Sequence, residues 1–436
     1  METTVDGAPR TLSHRLLTSQ HLKHNIYLLA ANLLGALCGY LLQVLLVHRL
    51  GLAAYGSVAS LLAVATAILI PTQVIGAIVA RYGAIYSSTG RPAELNDLVR
   101  RLTRLLLVVG TGVTALVALL SVPVAAFLHL DSPAGVVIIG LMLGLSFVAP
   151  INIGAVQGLQ YFSWYAFLVA LPQVLRFVLA SALVVLGFGV NGAMLGILLG
   201  LLLSYLMSFQ PLSPLLSGPR QFSGPLRALG FYSATATVTL AVTVVLSNFD
   251  TPLAKHYLSA HDAGLYAGMA LIGKILLIVS NSIVMVMFPR FAALYSRGES
   301  MQRAVLQAVL SVLGPCLLLE AAYSIAPAAL LRTLFGPPFV AVADQLPAYG
   351  LAMVLLGLSQ VFIYYFLSID GRLFMLVLLL CGGLQGLLFA IRHGSVAQLV
   401  QASVIANALM VMALGTLCVV SLRTARRPVP REETIA

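Results

Sequence analysis

Two basic residues lie deep inside long apolar stretches of the sequence, where a charge is unfavourable. Arg176 stands near the middle of the stretch 166–187, and Lys274 is similarly central in the stretch 263–288. Insertion scales give about 2.5–3.5 kcal/mol for a charged side chain at the centre of a membrane helix, so each residue needs a partner or a function. Arginine can hold a phosphate through two N–H groups at once, and lysine attracts it as a compact charge. The two cations therefore predict a binding site for a substrate that carries phosphates.

Polar residues share helical faces with the two cations. Gln173 is one turn before Arg176, and Asn281 follows Lys274 by two turns on a face that is otherwise made of alanines. Further polar positions recur with helical spacing in the apolar stretch that begins each half of the chain. We predict that the substrate cavity is lined by Gln173, Asn281, Asn32, Thr239 and Thr243.

A structural role is the alternative for each of these residues. Arg176 would then pair with Glu320, which lies in the outer part of its apolar stretch, and the threonines would hydrogen-bond to neighbouring helices. Asp250, at the end of its stretch, would cap a helix or pair with Lys255 at the surface. If the acids serve transport instead, Glu320 and Asp250 are the predicted sites of coupling to H+ or Na+.

Catalytic signatures are missing from the sequence. It contains no GxSxG motif, no Walker A motif, no paired carboxylates within one loop and no histidine cluster at metal-ligand spacing. All four cysteines fall within apolar stretches, without metal-ligand spacing, and are expected to be core residues. We therefore predict no enzymatic activity, no catalytic residue, no cofactor and no metal site.

The composition places these residues in a membrane. Hydrophobic residues make up 60% of the 436 positions, charged residues make up 8%, and the mean hydropathy is +1.01. A hydrocarbon core about 30 Å thick needs roughly 20 apolar residues per helix, and lipid leaves no partner for an unpaired backbone. The predicted fold is an all-α polytopic membrane protein with about twelve spans, at 25–47, 55–80, 105–128, 134–154, 166–187, 190–209, 229–250, 263–288, 304–325, 345–368, 373–391 and 397–421.

Charge placement supports this number of spans. If both termini are cytoplasmic, 18 of the 24 Lys and Arg residues lie on the cytoplasmic side of the membrane. Four lie on the opposite side, and two lie within spans. We predict a multi-pass protein of the bacterial inner membrane with cytoplasmic N- and C-termini. The net charge of +11 follows mostly from this topology, so the expected partners of the basic loops are anionic lipids and not nucleic acid. We expect a monomer.

A weak internal repeat divides the spans into two sets of six. The string HRLGLAAYGSVASL from His48 matches KHYLSAHDAGLYAGMAL from Lys255, which aligns Tyr55 with Tyr266. Six spans per repeat predict two lobes related by a pseudo-twofold axis along the membrane normal. The predicted parts are a cytoplasmic N-terminal segment (1–24), an N-terminal lobe (25–209), a cytoplasmic linker (210–228), a C-terminal lobe (229–421) and a basic cytoplasmic tail (422–436).

Three strings resemble the polysaccharide biosynthesis and oligosaccharide flippase (Wzx-like) family. They are LGLAAYG from Leu50, SNFDTPLAKHYLSAHDAGLYAGMALIGK from Ser247 and MFPRFAALYS from Met287. That family shares a superfamily with multidrug and toxin extrusion transporters and lipid II flippases. The resemblance implies two six-helix lobes around a cationic cavity. It also implies a substrate, an undecaprenyl-pyrophosphate-linked oligosaccharide, moved from the cytoplasmic to the periplasmic leaflet by alternating access.

Other functions remain open at this point. An ion-coupled multidrug or toxin exporter or a lipid II-type flippase would belong to the same superfamily, although the N-terminal lobe has no acidic residue inside any predicted span. A membrane glycosyltransferase, polymerase or ligase would need acidic catalytic residues or a large external loop, and neither is visible. A structural assembly subunit would tolerate apolar residues in place of Arg176 and Lys274 with only a loss of stability.

Overall fold

A computed structural model describes residues 10–68, 70–221, 234–369 and 373–424, and every regular element in these ranges is helical. The elements are α1 (Arg10–Ile68), α2 (Ile70–Ser88), α3 (Pro92–Leu119), α4 (Ser121–Phe127), α5 (Ala134–Gly158), α6 (Phe162–Val185), α7 (Gly189–Met207), α8 (Ser213–Ser217), α9 (Ala234–Asn248), α10 (Asp250–Tyr257), α11 (Ala260–Ser296), α12 (Gln302–Ile325), α13 (Pro327–Phe335), a 3₁₀ helix (Pro337–Gln345), α14 (Leu346–Ser368), α15 (Leu373–Ile391) and α16 (Val396–Thr424).

Ten helical segments within the described ranges are long and apolar enough to cross a membrane. The other two predicted spans are interrupted. The span 55–80 is divided between the end of α1 and α2, and the span 229–250 begins at residues outside the described ranges. The first nine residues, the linker from 222 onward and the tail beyond 424 also lie outside them. The all-α, multi-span fold predicted from hydropathy is confirmed.

The first two predicted spans are joined by a break of one residue. Gly51, inside the 59-residue helix α1, has φ 77° and ψ 171°. This conformation is essentially restricted to glycine, because any Cβ would collide with the backbone. The short loop expected between 47 and 55 is therefore a sharp bend between two helical segments.

The predicted surface position of Asp250 is wrong. Helix α9 ends at Asn248, and after one residue α10 continues from Asp250 to Tyr257. At 1.5 Å per helical residue, Asp250 lies roughly 10 Å before the end of this pair of helices. The sequence pattern suggested a surface position because Asp250 and Lys255 are polar, but both residues are about 3% exposed.

The chain forms two compact units. The first consists of the described parts of 1–45, 72–119 and 137–229, and the second of the described parts of 46–71, 120–136 and 230–436. The segments 46–71 and 120–136, which the repeat assigns to the N-terminal lobe, thus cluster with the second unit. The lobe boundary at 209 and 210 stays a prediction.

In the first unit, the described part of the linker is packed against α3. The Asn96 amide donates hydrogen bonds to the carbonyls of Gly218 and Pro219, at 2.9 and 3.1 Å, and the Arg100 guanidinium donates to the carbonyl of Leu216. Leu212 is fully buried in the same apolar cluster as the core leucines of α3. The described part of the predicted linker, residues 210–221, therefore packs against α3.

In the second unit, stacked rings hold the segment 120–136 against the end of α10. The imidazole of His256 lies 3.9 Å from the ring of Phe127 with an interplanar angle of 9°, and its Nδ1 donates to the Phe127 carbonyl at 2.6 Å. His129 stacks on His256 at 5.5 Å and has a positive φ of 49°. No spacing in the sequence indicates this contact.

Candidate functional site

Arg176 and Gln173 lie on one face of α6, as their spacing predicts, and this face meets α1 within the first unit. A Cβ atom at Gly39 would stand 3.0 Å from Nη2 of Arg176, and one at Gly35 would stand 3.2 Å from Cγ of Gln173. Glycines at these two positions of α1 therefore leave room for the two polar side chains. Gly35 and Gly39 are four residues apart, about one helical turn, which matches the one-turn separation of Gln173 and Arg176 on α6.

Four polar atoms in this unit are buried without a hydrogen-bond partner among the described residues: Nε of Arg176, Oε1 of Gln173, Oε1 of Gln43 and Oγ of Ser181. Gln43 is one turn beyond Gly39 on α1. Buried polar groups are nearly always paired in folded proteins, and an unpaired one costs about 1–3 kcal/mol. Of these atoms, the Nε of Arg176 is the charged donor, and it is suited to a ligand that accepts a hydrogen bond from the guanidinium. Within the described ranges, Arg176 also has no carboxylate within salt-bridge distance.

Lys274 is not a free cation in this structure. Its Nζ donates to Oδ1 of Asp250 at 2.9 Å and approaches Oγ1 of Thr251 at 3.5 Å. The other carboxylate oxygen, Oδ2, accepts from the hydroxyls of Tyr266, at 3.1 Å, and Tyr349, at 2.6 Å. Asp250 does not pair with Lys255, because α10 carries it inward to face α11 and α14.

The remaining predicted site residues are placed as follows. Asn281 is half-buried on α11, and Asn32 is exposed and donates to the carbonyl of Leu28 within its own helix. Thr239 and Thr243 are buried on α9, and their hydroxyls have no partner among the described residues. No hydrogen bond in the described part of the chain links these four side chains to Arg176 or Lys274. Their role in substrate binding stays a prediction.

Glu320 is half-buried on α12, with Oε2 directly against Gly350 of α14. That oxygen is buried and unpaired in the described part of the chain. A carboxylate oxygen in this situation is favourable only when a proton or another cation accompanies it. Ion coupling at Glu320 stays a prediction.

Sequence reasoning missed Tyr349 and Thr251 as neighbours of Asp250. Tyr349 is 99 residues away along the chain, and no spacing rule connects it to Asp250. Tyr266 was visible as a repeated residue, but its role as a hydrogen-bond donor was not. The one local signal of this site is the position of Asp250 at the break between α9 and α10, because a side chain at such a break can contact other helices.

Solved structures with the same fold are membrane transporters. An inward-facing multidrug resistance MATE family transporter of the MOP superfamily is 13% identical, with a TM-score of 0.69 over 89% of this chain and 96% of that one. The lipid II flippase MurJ, in an inward closed conformation, is 13% identical, with a TM-score of 0.63 over 88% of this chain and 87% of that one.

A third match carries a title that concerns its binding site. It is a MOP superfamily transporter from Pyrococcus furiosus, described as having a binding pocket of reverse polarity, and it is 15% identical. Its TM-score is 0.59 over 92% of this chain and 96% of that one. At such identities the likeness shows the fold alone. None of the curated proteins compared with the chain matches it.

The fold is thus that of the two-lobed transporters of the MOP superfamily, and the chain is a multi-pass membrane protein. A family model described as polysaccharide biosynthesis protein matches residues 21–295, more than half of the sequence. The chain belongs to the polysaccharide biosynthesis protein family. The resemblance drawn from the strings at Leu50, Ser247 and Met287 is confirmed.

Proposed function

We propose that this protein is a non-enzymatic flippase for polyprenyl-pyrophosphate-linked oligosaccharide. It would move the lipid from the cytoplasmic to the periplasmic leaflet of the bacterial inner membrane by alternating access, for surface polysaccharide biosynthesis. Family membership and the flippase and transporter folds support the general activity. The observation that supports a phosphate-bearing substrate is the Arg176 guanidinium on α6. Its Nε is buried and has no hydrogen-bond partner among the described residues.

Arg176 would hold the pyrophosphate through two parallel N–H groups, which is the geometry that guanidinium and phosphate share. Gln173, one turn away, would present its side-chain amide N–H to the same anion. Lys274 is the second predicted cation, and its pairing with Asp250 in this structure means that it must change partner to reach a substrate. The sugars need no specific covalent chemistry, because the protein only carries them across.

The experiment measures leaflet-resolved labelling of the lipid-linked glycan in cells that lack the chromosomal copy. Wild type, Arg176→Ala and Arg176→Lys are expressed at matched levels, with Arg104→Ala as the control because Arg104 is exposed on α3. We expect Arg176→Ala to lower periplasmic exposure of the glycan by about tenfold or more, the loss of one charge-assisted contact. Arg176→Lys should recover part of it, since lysine keeps the charge without the bidentate geometry.

Normal periplasmic glycan in cells with Arg176→Ala would contradict the proposal. It would reduce Arg176 to a packing role and favour an ion-coupled exporter. The buried carboxylate of Asp250 and the buried Oε2 atom of half-buried Glu320 are the observation behind that second candidate, because exporters of cationic compounds need acidic sites. Measurement of cationic dye efflux by the same cells distinguishes the two candidate functions, because the exporter would expel the dye and the flippase would not.

A smaller effect is expected from Gly39→Ala. The added methyl group would stand 3.0 Å from Nη2 of Arg176 and displace the guanidinium without changing any charge. We expect glycan translocation to fall severalfold, while thermal stability stays within about 1 kcal/mol, the ordinary range for glycine against alanine in a helix. Gly112→Ala on α3 is the matched control, since a Cβ there meets nothing within 4 Å. Equal translocation by the two variants would show that space near Arg176 is not limiting.

A further inference from the structure

The carboxylate of Asp250 is the centre of the polar network in the second unit. It accepts from four side chains: the Lys274 ammonium, the Thr251 hydroxyl at 3.3 Å, and the hydroxyls of Tyr266 and Tyr349. Only one of these donors carries a charge. Among the described residues, Lys274 is the single basic partner of Asp250, and Asp250 is the single acidic partner of Lys274.

This pairing has a direct consequence for an anionic substrate. A carboxylate and a phosphate both offer only acceptor oxygens, and both compete for the same ammonium. A phosphate that approaches Lys274 therefore meets a negative charge about 3 Å from Nζ. Two anions this close repel each other strongly in a site with little water. Substrate binding at Lys274 requires that the contact to Asp250 be given up.

The rest of the network is built to keep Asp250 in place after that change. Tyr266 and Tyr349 are fully buried, with their rings edge to face at 5.7 Å and 81°, and both aim their hydroxyls at Oδ2. Thr251 follows Asp250 directly in α10. Three neutral donors thus remain to solvate the carboxylate when the charged one leaves. The four-carbon stem of lysine makes Lys274 the member of the network that moves most easily.

We infer that Asp250 is an internal counterion that competes with the substrate's phosphate for Lys274, and that Tyr266 and Tyr349 position it for this exchange. The inference rests on the proposed function. Without substrate, Asp250 neutralises Lys274 inside the membrane. With substrate, Lys274 turns to the phosphate, and Asp250 is retained by the three hydroxyls. When Asp250 takes Lys274 back, it weakens the hold on the lipid and favours release.

Only molecules in which Lys274 has left Asp250 can bind the phosphate there. The apparent affinity for substrate therefore equals the intrinsic affinity multiplied by the fraction of such molecules. If that fraction is about one in ten, removal of the competing charge should tighten binding about tenfold, which corresponds to about 1.4 kcal/mol. A purely structural role for Asp250 predicts the opposite, since loss of a structural residue does not improve binding.

The test uses the purified full-length protein in lipid nanodiscs with undecaprenyl pyrophosphate as the probe. Dissociation constants and thermal midpoints are measured for wild type, Asp250→Asn, Tyr349→Phe and the double variant Asp250→Asn/Lys274→Met. We expect Asp250→Asn to bind the probe about tenfold more tightly and to have a lower midpoint without it, because Lys274 is then buried without a counterion. The double variant should lose the gain in affinity.

Tyr349→Phe should act in the opposite direction. It removes a donor that would hold Asp250 after Lys274 leaves, so the carboxylate keeps Lys274 and binding weakens. The Tyr349→Phe measurement also tests the inference if Asp250→Asn does not fold. Unchanged or weaker binding by folded Asp250→Asn, or tighter binding by Tyr349→Phe, overturns the inference and leaves the flippase proposal intact. A folded wild type that does not bind the probe overturns both.

Discussion

Replacement of Lys274 by methionine should lower the free energy of unfolding of the purified protein by about 3–5 kcal/mol. The substitution preserves the length and the apolar stem of the side chain but leaves the carboxylate of Asp250, which is 3% exposed, without its charged partner. Removal of one member of a buried ion pair is destabilising on this scale, because the three remaining neutral hydroxyls offset only part of the desolvation penalty of the carboxylate. Denaturant titration of the detergent-solubilised protein measures the change.

Two further variants make this result specific. Lys255→Met is the matched control: Lys255 is as buried as Asp250 and lies in the same unit, but among the described residues it has no hydrogen bond or ion pair and only a longer-range interaction with Asp131. We expect it to change the stability little. The double variant Asp250→Asn/Lys274→Met removes both charges and should recover most of the loss, because an uncharged pair has no comparable desolvation penalty. A loss below about 1 kcal/mol for Lys274→Met would show that the three hydroxyls alone satisfy Asp250.

Much of the fold follows from the sequence because lipid imposes a simple rule. Every spanning backbone must satisfy its own hydrogen bonds, so a long apolar stretch can only be a helix, and its length is set by the membrane. The stretches 373–391 and 134–154 therefore correspond closely to α15 and α5. The rule fails where a charge in one helix is paired with an opposite charge in another. Asp250 was expected at the surface because its partner, Lys274, lies 24 residues away in another helix and no spacing rule connects them.

The candidate site shows the same division between local and non-local information. Gln173 and Arg176 lie one turn apart, so helical geometry alone predicts a shared face, and α6 has that face. The glycines that make room for them, Gly35 and Gly39, belong to α1, and nothing in the spacing identifies which helix they meet. The counterion of Lys274 depends likewise on the packing of α10 and α14 around α11. Contacts between distant segments are decided by packing, which periodicity does not report.

The internal repeat marks positions at which the two repeated segments pack. Its aligned tyrosines, Tyr55 and Tyr266, are both fully buried in the second unit, so the repeated strings mark packing positions. Close to them, Gly56 of α1 meets the backbone of α11 at Gly264: a Cβ on Gly56 would stand 3.0 Å from the Gly264 nitrogen. Ser60, one turn further, donates to the carbonyl of Thr251 at 3.3 Å. The two repeated segments therefore pack against each other through their backbones, which requires glycine at the contact.

Replacement of Gly264 by valine should consequently destabilise the second unit by about 3 kcal/mol, at the upper end of the usual range for overpacking. A Cβ at this position would collide with the carbonyl of Leu52 and stand 2.9 Å from its Cα, and backbone atoms cannot move aside as a flexible side chain does. Gly383→Val on α15 is the matched control, since a Cβ there meets nothing within 4 Å, and it should leave the thermal midpoint nearly unchanged. Equal midpoints for the two variants would mean that α1 and α11 can separate at this point without loss. A large difference would mean that the close contact at Gly264 holds the start of the second span against the start of the eighth.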